Sequence, residues 1–285
     1  MQKTKKHALN TEFYESDKER WHEIDKVRDK VAKHLHVSRR STVLDVLVGE
    51  GDFARAIAKS SKENRVIAGE ILATDLNEAK HRIERDRLKG RVEVLRMDVT
   101  CMPFVKDSVD DVVNFFGWED FTAISGEDLI DKAFREMVRV LKMNGILAVT
   151  FIPPLEPKDK VSRRDEELYE YMYKSSKRPK FFHEKFFLQM FEKHQIKFLR
   201  KNIFETPKSR LQPSDAKRYI EWSCRNYKSF YARDVEMRPY REILREFGEF
   251  IGKYGIRERR SKFILLIGKK SQQKRRVRSS NEEKK

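Results

Sequence analysis

The sequence predicts an α/β fold with a mostly parallel sheet and helices on both faces, because apolar runs alternate with amphipathic segments along its first half. Five runs have the length and composition of buried strands, at residues 43–48, 66–75, 92–98, 109–116 and 145–151. Segment 127–142 has apolar residues at the spacing of a helix that packs on a sheet. Strands joined by helices are parallel, so their carboxyl ends should share one edge where a ligand binds.

A glycine turn follows the first predicted strand. Gly49 and Gly51 come after the run at 43–48 and before an apolar helix predicted at 53–58. Because glycine has no Cβ, a ligand can approach the backbone N–H groups at the start of that helix. The turn therefore predicts a ligand site at this end of the first strand.

Acidic residues accompany the predicted strands. Asp75 ends the second run roughly 25 residues after the glycines, where a nucleotide-binding α/β fold places the carboxylate that holds ribose hydroxyls. Asp98 ends the third run, and Asp45 lies within the first. We expect these three carboxylates to line one crevice that binds a nucleotide-like ligand.

These motifs resemble those of the class I S-adenosylmethionine-dependent methyltransferases over residues 42–151. Stretch 43–51 is similar to the family's first motif, 102–110 to its "LPF…D-S-F-D" stretch, and 133–147 to its "EM-RVLKPGG-L" segment. Two departures are Leu47, where the family usually has a glycine beside the methionine portion, and Met143-Asn144 in place of Pro-Gly. The resemblance implies a Rossmann-like sheet of seven strands, completed by the runs at 196–204 and 263–267 with one antiparallel edge. It also implies S-adenosylmethionine as the cofactor.

The same resemblance implies which residues form the site. Asp75 corresponds to the ribose ligand and Asp98 to the acid that accepts from the adenine amino group. The cofactor-binding residues predicted in this way are Asp45, Gly49, Gly51, Asp75, Leu76, Asp98, Val99 and Asn114. The acceptor is expected beside Phe116 at the end of the fourth strand, and the predicted catalytic residues are Asn114, Trp118 and Glu119. Rings and hydrogen-bond acceptors at that position could sandwich a flipped base and bind its amino group.

A nicotinamide-dependent oxidoreductase is the competing interpretation of the glycine turn. Its fingerprint has a third glycine where this chain has Ala54, although alanine is sometimes tolerated there. No Tyr-x-x-x-Lys pair lies where a short-chain dehydrogenase would need one. The order and spacing of the motifs favour the methyltransferase, and a catalytically inactive relative that only binds RNA is a further alternative.

The net charge of +17 arises entirely from the second half of the chain. Residues 1–150 hold 27 Lys and Arg against 27 Asp and Glu, whereas residues 151–285 hold 36 against 19. Segment 269–285 contributes only 8 of those basic residues and 2 of the acidic ones, so a solvated tail explains part of the excess. Because a cationic surface attracts polyanions, we expect RNA, either rRNA or tRNA, as a partner.

Four parts are predicted along the chain. They are an N-terminal helical segment at 1–40 that covers the cofactor, a methyltransferase domain at 41–205 and 261–270, a helical substrate-binding insertion at 206–260, and a basic disordered tail at 271–285. The insertion interleaves aromatic and cationic residues, which suits stacking on bases and contact with phosphates. Its predicted substrate-binding residues are Tyr219, Trp222, Arg225, Tyr231 and Arg233. The alternative is an amphipathic helix whose aromatic residues only pack on the core.

Composition excludes several other classes of protein. No apolar run approaches the roughly 20 residues that a membrane helix needs. The two cysteines, Cys101 and Cys224, have no metal-type spacing, so we expect no metal and a reducing cytoplasm. Charged residues make up 38% of the chain, a proportion that fits the ion-pair networks of a thermophile. No pattern indicates the oligomeric state.

Three functional hypotheses follow from the sequence. The first is methylation of an RNA base amine, cytidine N4 or adenine N6, in rRNA or tRNA, for example by an archaeal rRNA cytidine N4-methyltransferase. The second is a methyltransferase acting on a small molecule, either a metabolite or a quinone-like compound. It predicts an enclosed apolar pocket under the insertion and turnover that is insensitive to salt. The third is a non-catalytic RNA-binding protein.

Overall fold

The computed structural model describes residues 18–154, 156–174, 178–207, 210–230, 236–257 and 261–271, without the side chains of residues 18–20, 124 and 226–230. Two predicted substrate-binding residues, Tyr231 and Arg233, lie outside the described residues. The same is true of nearly all of the predicted basic tail.

A seven-stranded sheet lies at the centre of the molecule. The strands of the chain are β1 (Thr42–Val46), β2 (Arg65–Glu70), β3 (Val92–Arg96), β4 (Asp111–Phe115), β5 (Ile146–Phe151), β6 (Ile196–Glu205), β7 (Arg210–Leu211), β8 (Ile256–Arg257) and β9 (Lys262–Lys270). The central sheet has the order β3-β2-β1-β4-β5-β9-β6, and β7 pairs with β8 separately. Strands β1 to β5 pair in parallel, whereas β9 runs antiparallel to both β5 and β6. The predicted seven-stranded, mostly parallel sheet is confirmed.

The position of the antiparallel strand differs from the prediction. It was expected at an edge, but β9 lies between β5 and β6. Phe263 and the four apolar residues after it are all buried. A continuous apolar run is typical of a strand that is covered on both faces, as β9 is, whereas β6 alternates charged and apolar residues, is largely exposed and takes the edge.

Helices cover both faces of the sheet. They are α1 (Lys18–His34), α2 (Asp52–Ser60), α3 (Ala73–Arg85), α4 (Trp118–Ser125), α5 (Leu129–Val140), α6 (Lys160–Tyr171), α7 (Glu184–Lys193), α8 (Pro213–Phe230) and α9 (Tyr240–Tyr254). One core contains Phe134 of α5 and Phe187 of α7, and the opposite core contains Val27 of α1 and Ile57 of α2. Within the described ranges, no helix has both the length and the apolar character to cross a bilayer.

The end of β2 lies earlier than the sequence predicts. The strand stops at Glu70, and Asp75 lies in the first turn of α3. The carboxylate of Glu70 accepts hydrogen bonds from the backbone N–H groups of Ile71 (2.8 Å) and Leu72 (3.1 Å). Because a side chain now binds these donors, the chain turns away from the sheet although its residues remain apolar.

Helices α6, α8 and α9, with the β7–β8 pair, form a third core, and we call this unit the cap. Its buried apolar residues are Leu168, Met172, Ala216, Ile220, Ile243, Phe247, Ile251 and Ile256. The insertion between β6 and β9 therefore contains two of the three cap helices. Helix α6 supplies the third, although it lies within the range 41–205 that the sequence analysis gave to the methyltransferase domain.

An ion pair joins α6 to the insertion. The Asp165 side chain is fully buried, and its two oxygens accept from the Arg210 guanidinium at 2.7 and 3.0 Å. The same carboxylate accepts from the backbone N–H of Arg257 at 3.1 Å. A buried charge needs such partners, so this interaction fixes the position of α6 on the insertion.

Candidate functional site

One cavity of about 580 Å³ extends from the carboxyl ends of β1, β2 and β4 to the underside of the cap. This volume is within the range of roughly 300–1,000 Å³ that is usual for small-molecule sites. Its floor is formed by the loops that follow the strands, and its roof includes residues of α6 and α8. The position is the one that an open parallel sheet offers to ligands, outside the carboxyl ends of its central strands.

The turn after β1 leaves room for a ligand beside the backbone. Gly49 and Gly51 have φ angles of +53° and +80°, in the left-handed region. A Cβ atom on Gly51 would lie 3.0 Å from the Cβ of Ala79, so this glycine allows α3 to pack closely against the turn. Gly49 lines the cavity and Gly51 does not. The predicted cofactor role of Gly51 is therefore corrected to one in turn geometry.

Leu47 has the backbone conformation of a glycine. Its φ angle is +56°, although it is a residue with a branched side chain. Such a conformation costs about 1–3 kcal/mol and persists only where the surrounding structure fixes it. Leu47 lines the cavity but does not fill it, so the departure from the family's first motif leaves the crevice open.

Asp45 is the buried acid of the site. It is only 1% exposed and lines the cavity; among the described residues its carboxylate has no side-chain hydrogen-bond partner and one backbone donor beside it, the N–H of Ala54. Burial raises the pKa of Asp45 well above its usual value, the positive charge of Arg28 opposes this increase, and the negative charge of Glu70 adds to it. A buried carboxylate with so few partners is expensive, and a cationic ligand group would reduce that cost.

Helix α1 both packs on the sheet and contributes to the cavity. Ile24 and Val31 are buried against the core, while Trp21 and Arg28 line the site. The Arg28 guanidinium carbon lies 5.5 Å from the centre of the Phe115 ring and 5.8 Å from that of Trp21. Arg28 and Asp45 therefore place opposite charges at one end of the cavity.

Glu70 is a site residue that the sequence analysis missed. It is the last residue of β2, lines the cavity, and accepts from the backbone N–H of Gly49 at 3.0 Å. Burial raises the pKa of its carboxyl group, and hydrogen bonds from Leu72, Gly49 and Ile71 oppose the increase. Asp75 also lines the cavity, but from the first turn of α3. The acid that stands at the end of the strand is thus Glu70, not Asp75.

Two of the residues predicted for the adenine side line the cavity, and a third does not. Asp98 and Val99 line the cavity two and three residues beyond β3, and an Asp98 oxygen accepts from the backbone N–H of Thr100 at 2.8 Å. Leu76 is buried in α3 and does not line the cavity, so the structure gives its predicted contact with the cofactor no support. Ile71 and Leu72 supply the apolar lining there.

Two of the predicted catalytic residues are structural. The Asn114 side chain is fully buried, and its amide nitrogen donates to the carbonyl oxygens of Val46 (3.0 Å) and Phe116 (2.7 Å). Trp118 is also fully buried, with its ring stacked on Phe134 at 5.2 Å between centroids. Neither residue lines the cavity, so the catalytic roles of both and the cofactor role of Asn114 are corrected. Each fills the core because its element faces a second layer.

Of the remaining residues predicted to contact the methyl acceptor, some line the cavity and one lies on the surface. Phe116 and Glu119 line the cavity, as do Tyr219 and Trp222 of α8. Arg225 does not line it and pairs with Glu221 on the exposed side of α8. Helix α6 and the segment that follows it also contribute residues that no motif indicated, namely Glu166, Tyr169, Glu170, Tyr173, Arg178, Pro179, Lys180 and Phe181. Their only sequence signal was a charged helix near a cluster of aromatic residues.

Comparison with known proteins now identifies the domain. Residues 43–145 match the family described as "Methyltransferase domain", and they contain the glycine turn, Glu70 and Asp98. Residues 43–145 therefore form a methyltransferase domain with the class I fold. The resemblance found in the sequence is thereby confirmed, and S-adenosylmethionine is the cofactor of this domain. The match ends before α6, so it does not include the cap.

Curated relatives and solved structures agree with this identification. The chain is 30% identical over 122 residues to a demethylmenaquinone methyltransferase of Bacteroides fragilis, covering 43% of this chain and 47% of the relative. It is 38% identical over 110 residues to a ubiquinone/menaquinone biosynthesis C-methyltransferase of Bordetella parapertussis, covering 38% and 39%. The chain thus spans at most about half the length of these relatives. A putative methyltransferase from Bacillus halodurans has the same fold, with a TM-score of 0.59, 19% identity and coverage of 86% of this chain and 99% of that one.

The residues present fit S-adenosylmethionine. The cofactor carries a positive sulfonium and an amino acid end, and the site offers the buried Asp45 carboxylate and the Arg28 guanidinium at one end of the cavity. The turn at Gly49 exposes backbone next to the cavity, and Glu70 can accept from hydroxyl groups. Among the described residues, no group of three or more His, Cys, Asp or Glu side chains is arranged to hold a metal ion.

Proposed function

We propose that this protein transfers a methyl group from S-adenosylmethionine to a small organic molecule enclosed beneath the cap. The observation that carries the proposal is the continuity of the cavity, which joins Asp45 at the cofactor end to Trp222 in the roof. An acceptor held in such a space lies next to the cofactor and is partly shielded from bulk water by the cap.

The roof is aromatic, as an enclosed site for a small molecule requires. Tyr169 and Tyr173 come from the segment around α6, and Tyr219 and Trp222 from α8. Rings provide apolar contact area with few rotatable bonds, so they order a bound molecule at a low entropy cost. The small-molecule hypothesis from the sequence predicts an enclosed apolar pocket under the insertion. The aromatic roof supports the apolar part of that prediction, whereas the cavity is partly open and its floor carries many acidic residues.

The charge of the lining supports the same proposal. Among the described residues that line the cavity, ten are Asp or Glu and only three are Lys or Arg. A site for a flipped nucleotide must accommodate phosphate groups near its mouth, and phosphate is bound by cations. The net negative lining therefore favours an acceptor without phosphate groups.

The residues of the chain bind and orient the cofactor and the acceptor, and they exclude water. When bound, S-adenosylmethionine supplies a methyl group that is already activated, so that the bond from the acceptor nucleophile to carbon forms as the sulfur–carbon bond breaks. Asp45 and Arg28 are placed to hold the ends of an amino acid group, and Glu70 to accept from hydroxyls. The cap excludes water and fixes the acceptor, which lowers the barrier by orientation rather than by new chemistry.

The names of the curated relatives also support a small acceptor. Those relatives are named for methylation in quinone biosynthesis. The similarity covers less than half of each chain, and the residues of the cap lie outside the methyltransferase-domain match at 43–145. The comparison thus favours a small organic molecule as the acceptor, and the cap determines which small molecule fits.

RNA base-amine methylation is the second candidate, and the observation in its favour is the basic excess of residues 151–285. The two candidates differ in what receives the methyl group. Incubation of the protein with methyl-labelled S-adenosylmethionine and separated RNA and small-molecule fractions of its host cells distinguishes them. We expect label in the small-molecule fraction, with a rate that changes little between low and high salt. Label found only in RNA would contradict the proposal.

Arg28 offers a direct check of the cofactor site. Replacing Arg28 with methionine keeps much of the apolar side-chain volume and removes the charge beside Asp45. We expect S-adenosylhomocysteine to bind roughly tenfold more weakly, because one charge-assisted hydrogen bond is worth about 1.5 kcal/mol. Arg39→Met is the control, since Arg39 is 85% exposed and pairs with Glu63. Equal calorimetric affinities for the two variants would contradict the assignment.

A further inference from the structure

Asp52 connects helix α1 to the turn after β1. It is the first residue of α2, directly after Gly51, and it lines the cavity. One of its carboxylate oxygens lies 3.6 Å from the Arg28 guanidinium of α1. The same carboxylate binds Arg55 of α2 at 2.6 Å and Arg82 of α3 at 2.9 Å. Arginines from three helices therefore converge on Asp52.

These arginines keep Asp52 charged and fixed in place. Burial alone would raise the pKa of its carboxyl group, but the positive charges of Arg28, Arg82 and Arg55 outweigh burial and lower that pKa. Arg55 is itself anchored, because its guanidinium also binds Asp86 at 2.9 Å. Asp52 is therefore a rigid, ionised partner for a side chain that approaches it from α1.

Arg28 lies within the influence of two buried carboxylates but pairs with only one of them. Its charge acts on Asp45, yet in the described part of the chain its ion pairs are with Asp25 and Asp52. The Asp25 side chain is 56% exposed, so water weakens that pair. The Arg28 side chain is only 12% exposed. Asp52 is thus the partner that restrains the buried end of Arg28.

We propose that Asp52 is a positioning residue that holds the Arg28 guanidinium apart from Asp45, so that both charges remain available to the cofactor. The amino acid end of S-adenosylmethionine has an ammonium group and a carboxylate. If Arg28 and Asp45 formed an ion pair with each other, that pair would have to be broken before the amino acid end could bind. The proposal rests on the assignment of Arg28 to the cofactor in the proposed function, and it adds a residue that acts through Arg28.

A double-mutant cycle in the full-length protein tests this coupling. Asp52→Asn, Arg28→Met and the double variant are each titrated calorimetrically with S-adenosylhomocysteine. We expect Asp52→Asn to weaken binding about five- to tenfold alone, but less than about twofold when Arg28 is already methionine. If Asp52 instead contacts the cofactor directly, the loss is the same in both backgrounds. That result, or no loss in the single variant, would overturn the proposal.

Asp86→Asn is the matched control. The Asp86 side chain is 13% exposed and that of Asp52 is 19% exposed, and both bind Arg55. Asp86 does not line the cavity, and its ion pairs within the described ranges are with Arg55, Lys59 and Arg85. Both substitutions should lower the melting temperature, but only Asp52→Asn should weaken cofactor binding. An equal loss of affinity in the two variants would refute the positioning role.

The Trp21 ring reports the position of Arg28 in the absence of the cofactor, because the guanidinium carbon lies 5.8 Å from the ring centre. Labelling with 5-fluorotryptophan gives a fluorine resonance for each of the three tryptophans, and Trp21→Phe assigns that of Trp21. We expect Asp52→Asn to shift this resonance and Asp86→Asn to leave it in place. An unchanged resonance in Asp52→Asn would also contradict the proposal.

The titrations separate failure of the proposal from failure of the proposed function. If S-adenosylhomocysteine does not bind the original protein, methyl transfer fails as its function. If Arg28→Met binds as tightly as the original protein, the assignment of Arg28 fails, and the role of Asp52 fails with it. If Arg28→Met weakens binding and Asp52→Asn does not, only the positioning role is wrong.

Discussion

Replacing Gly255 with alanine is expected to destabilise the cap by about 3–5 kcal/mol. Gly255 ends α9 with a φ angle of +64°, which is unfavourable for any residue with a side chain. A Cβ atom at this position would lie 1.8 Å from the carbonyl oxygen of Leu211. Because that oxygen belongs to the backbone of β7, the clash cannot be relieved by rotating a side chain.

The same helix contains the control. Gly252 lies within α9, and a Cβ atom there would meet no heavy atom within 4 Å. Gly252→Ala should stabilise the protein by about 0.5–1 kcal/mol, because alanine is the better helix former. Chemical denaturation followed by tryptophan fluorescence measures both variants. If Gly255→Ala is no less stable than the original protein, the cap described here is wrong.

Destabilising the cap should impair binding of the acceptor without impairing binding of the cofactor. Gly255→Ala is expected to lose methyl transfer to the acceptor. It should still bind S-adenosylhomocysteine, because Asp45 and Glu70 lie on the sheet and Gly49 lies in the turn after β1. Measurement of cofactor affinity and turnover on the same sample shows this separation. Parallel loss of both quantities would mean that the cap also forms part of the cofactor site.

Asp45→Asn has the largest expected effect on the cofactor. The substitution preserves shape but removes the buried charge, and we expect S-adenosylhomocysteine to bind about 30- to 150-fold more weakly, or 2–3 kcal/mol. The substituted protein should nevertheless fold, because burial of the carboxylate is costly and asparagine keeps an acceptor oxygen for the backbone N–H of Ala54. Calorimetric titration and thermal unfolding of the same protein measure the two effects.

The pH dependence of stability provides a second readout for Asp45. Burial raises the pKa of this carboxyl group in the folded protein well above its usual value of 3.8. As pH rises from that usual value through the raised one, the unfolded chain releases the proton before the folded chain does. The free energy of unfolding of the cofactor-free protein should therefore fall across this range. Asp45→Asn lacks this contribution, so its stability relative to the original protein should increase with pH.

The difference in unfolding free energy between the original protein and Asp45→Asn isolates the contribution of Asp45 from those of the other buried acids. The pKa values of Glu50, Glu70 and Asp111 are also raised by burial, and these residues are present in both proteins. Their contributions largely cancel when the two unfolding free energies are subtracted. A difference that does not change with pH would show that Asp45 ionises normally in the folded state.

The sequence was sufficient to predict the seven-stranded sheet and the glycine turn after β1. Strand–helix alternation and the turn at Gly49 depend on local patterns, and both are present in the structure. The exact end of β2 could not be predicted, because Ile71 and Leu72 continue the apolar run while Glu70 binds their N–H groups. The strand end depends on a side-chain hydrogen bond that apolar periodicity does not reveal.

The acceptor end was harder to predict because it depends on tertiary contacts. Trp118 and Asn114 have the residue types of an acceptor site, but the packing of α5 and β1 around them makes them part of the core. The contribution of α6 has no local signal, since it follows from the ion pair between Asp165 and Arg210, which are 45 positions apart in the chain. Such pairings require the fold to be known first.

The most direct test of the account is a calorimetric titration of the full-length protein with S-adenosylhomocysteine, repeated after Asp45→Asn. The account predicts saturable binding at one site per chain, with most of the affinity lost in the variant. No measurable binding to the original protein, or equal affinity in both, would contradict the assignment of the crevice between β1 and β2 as the cofactor site.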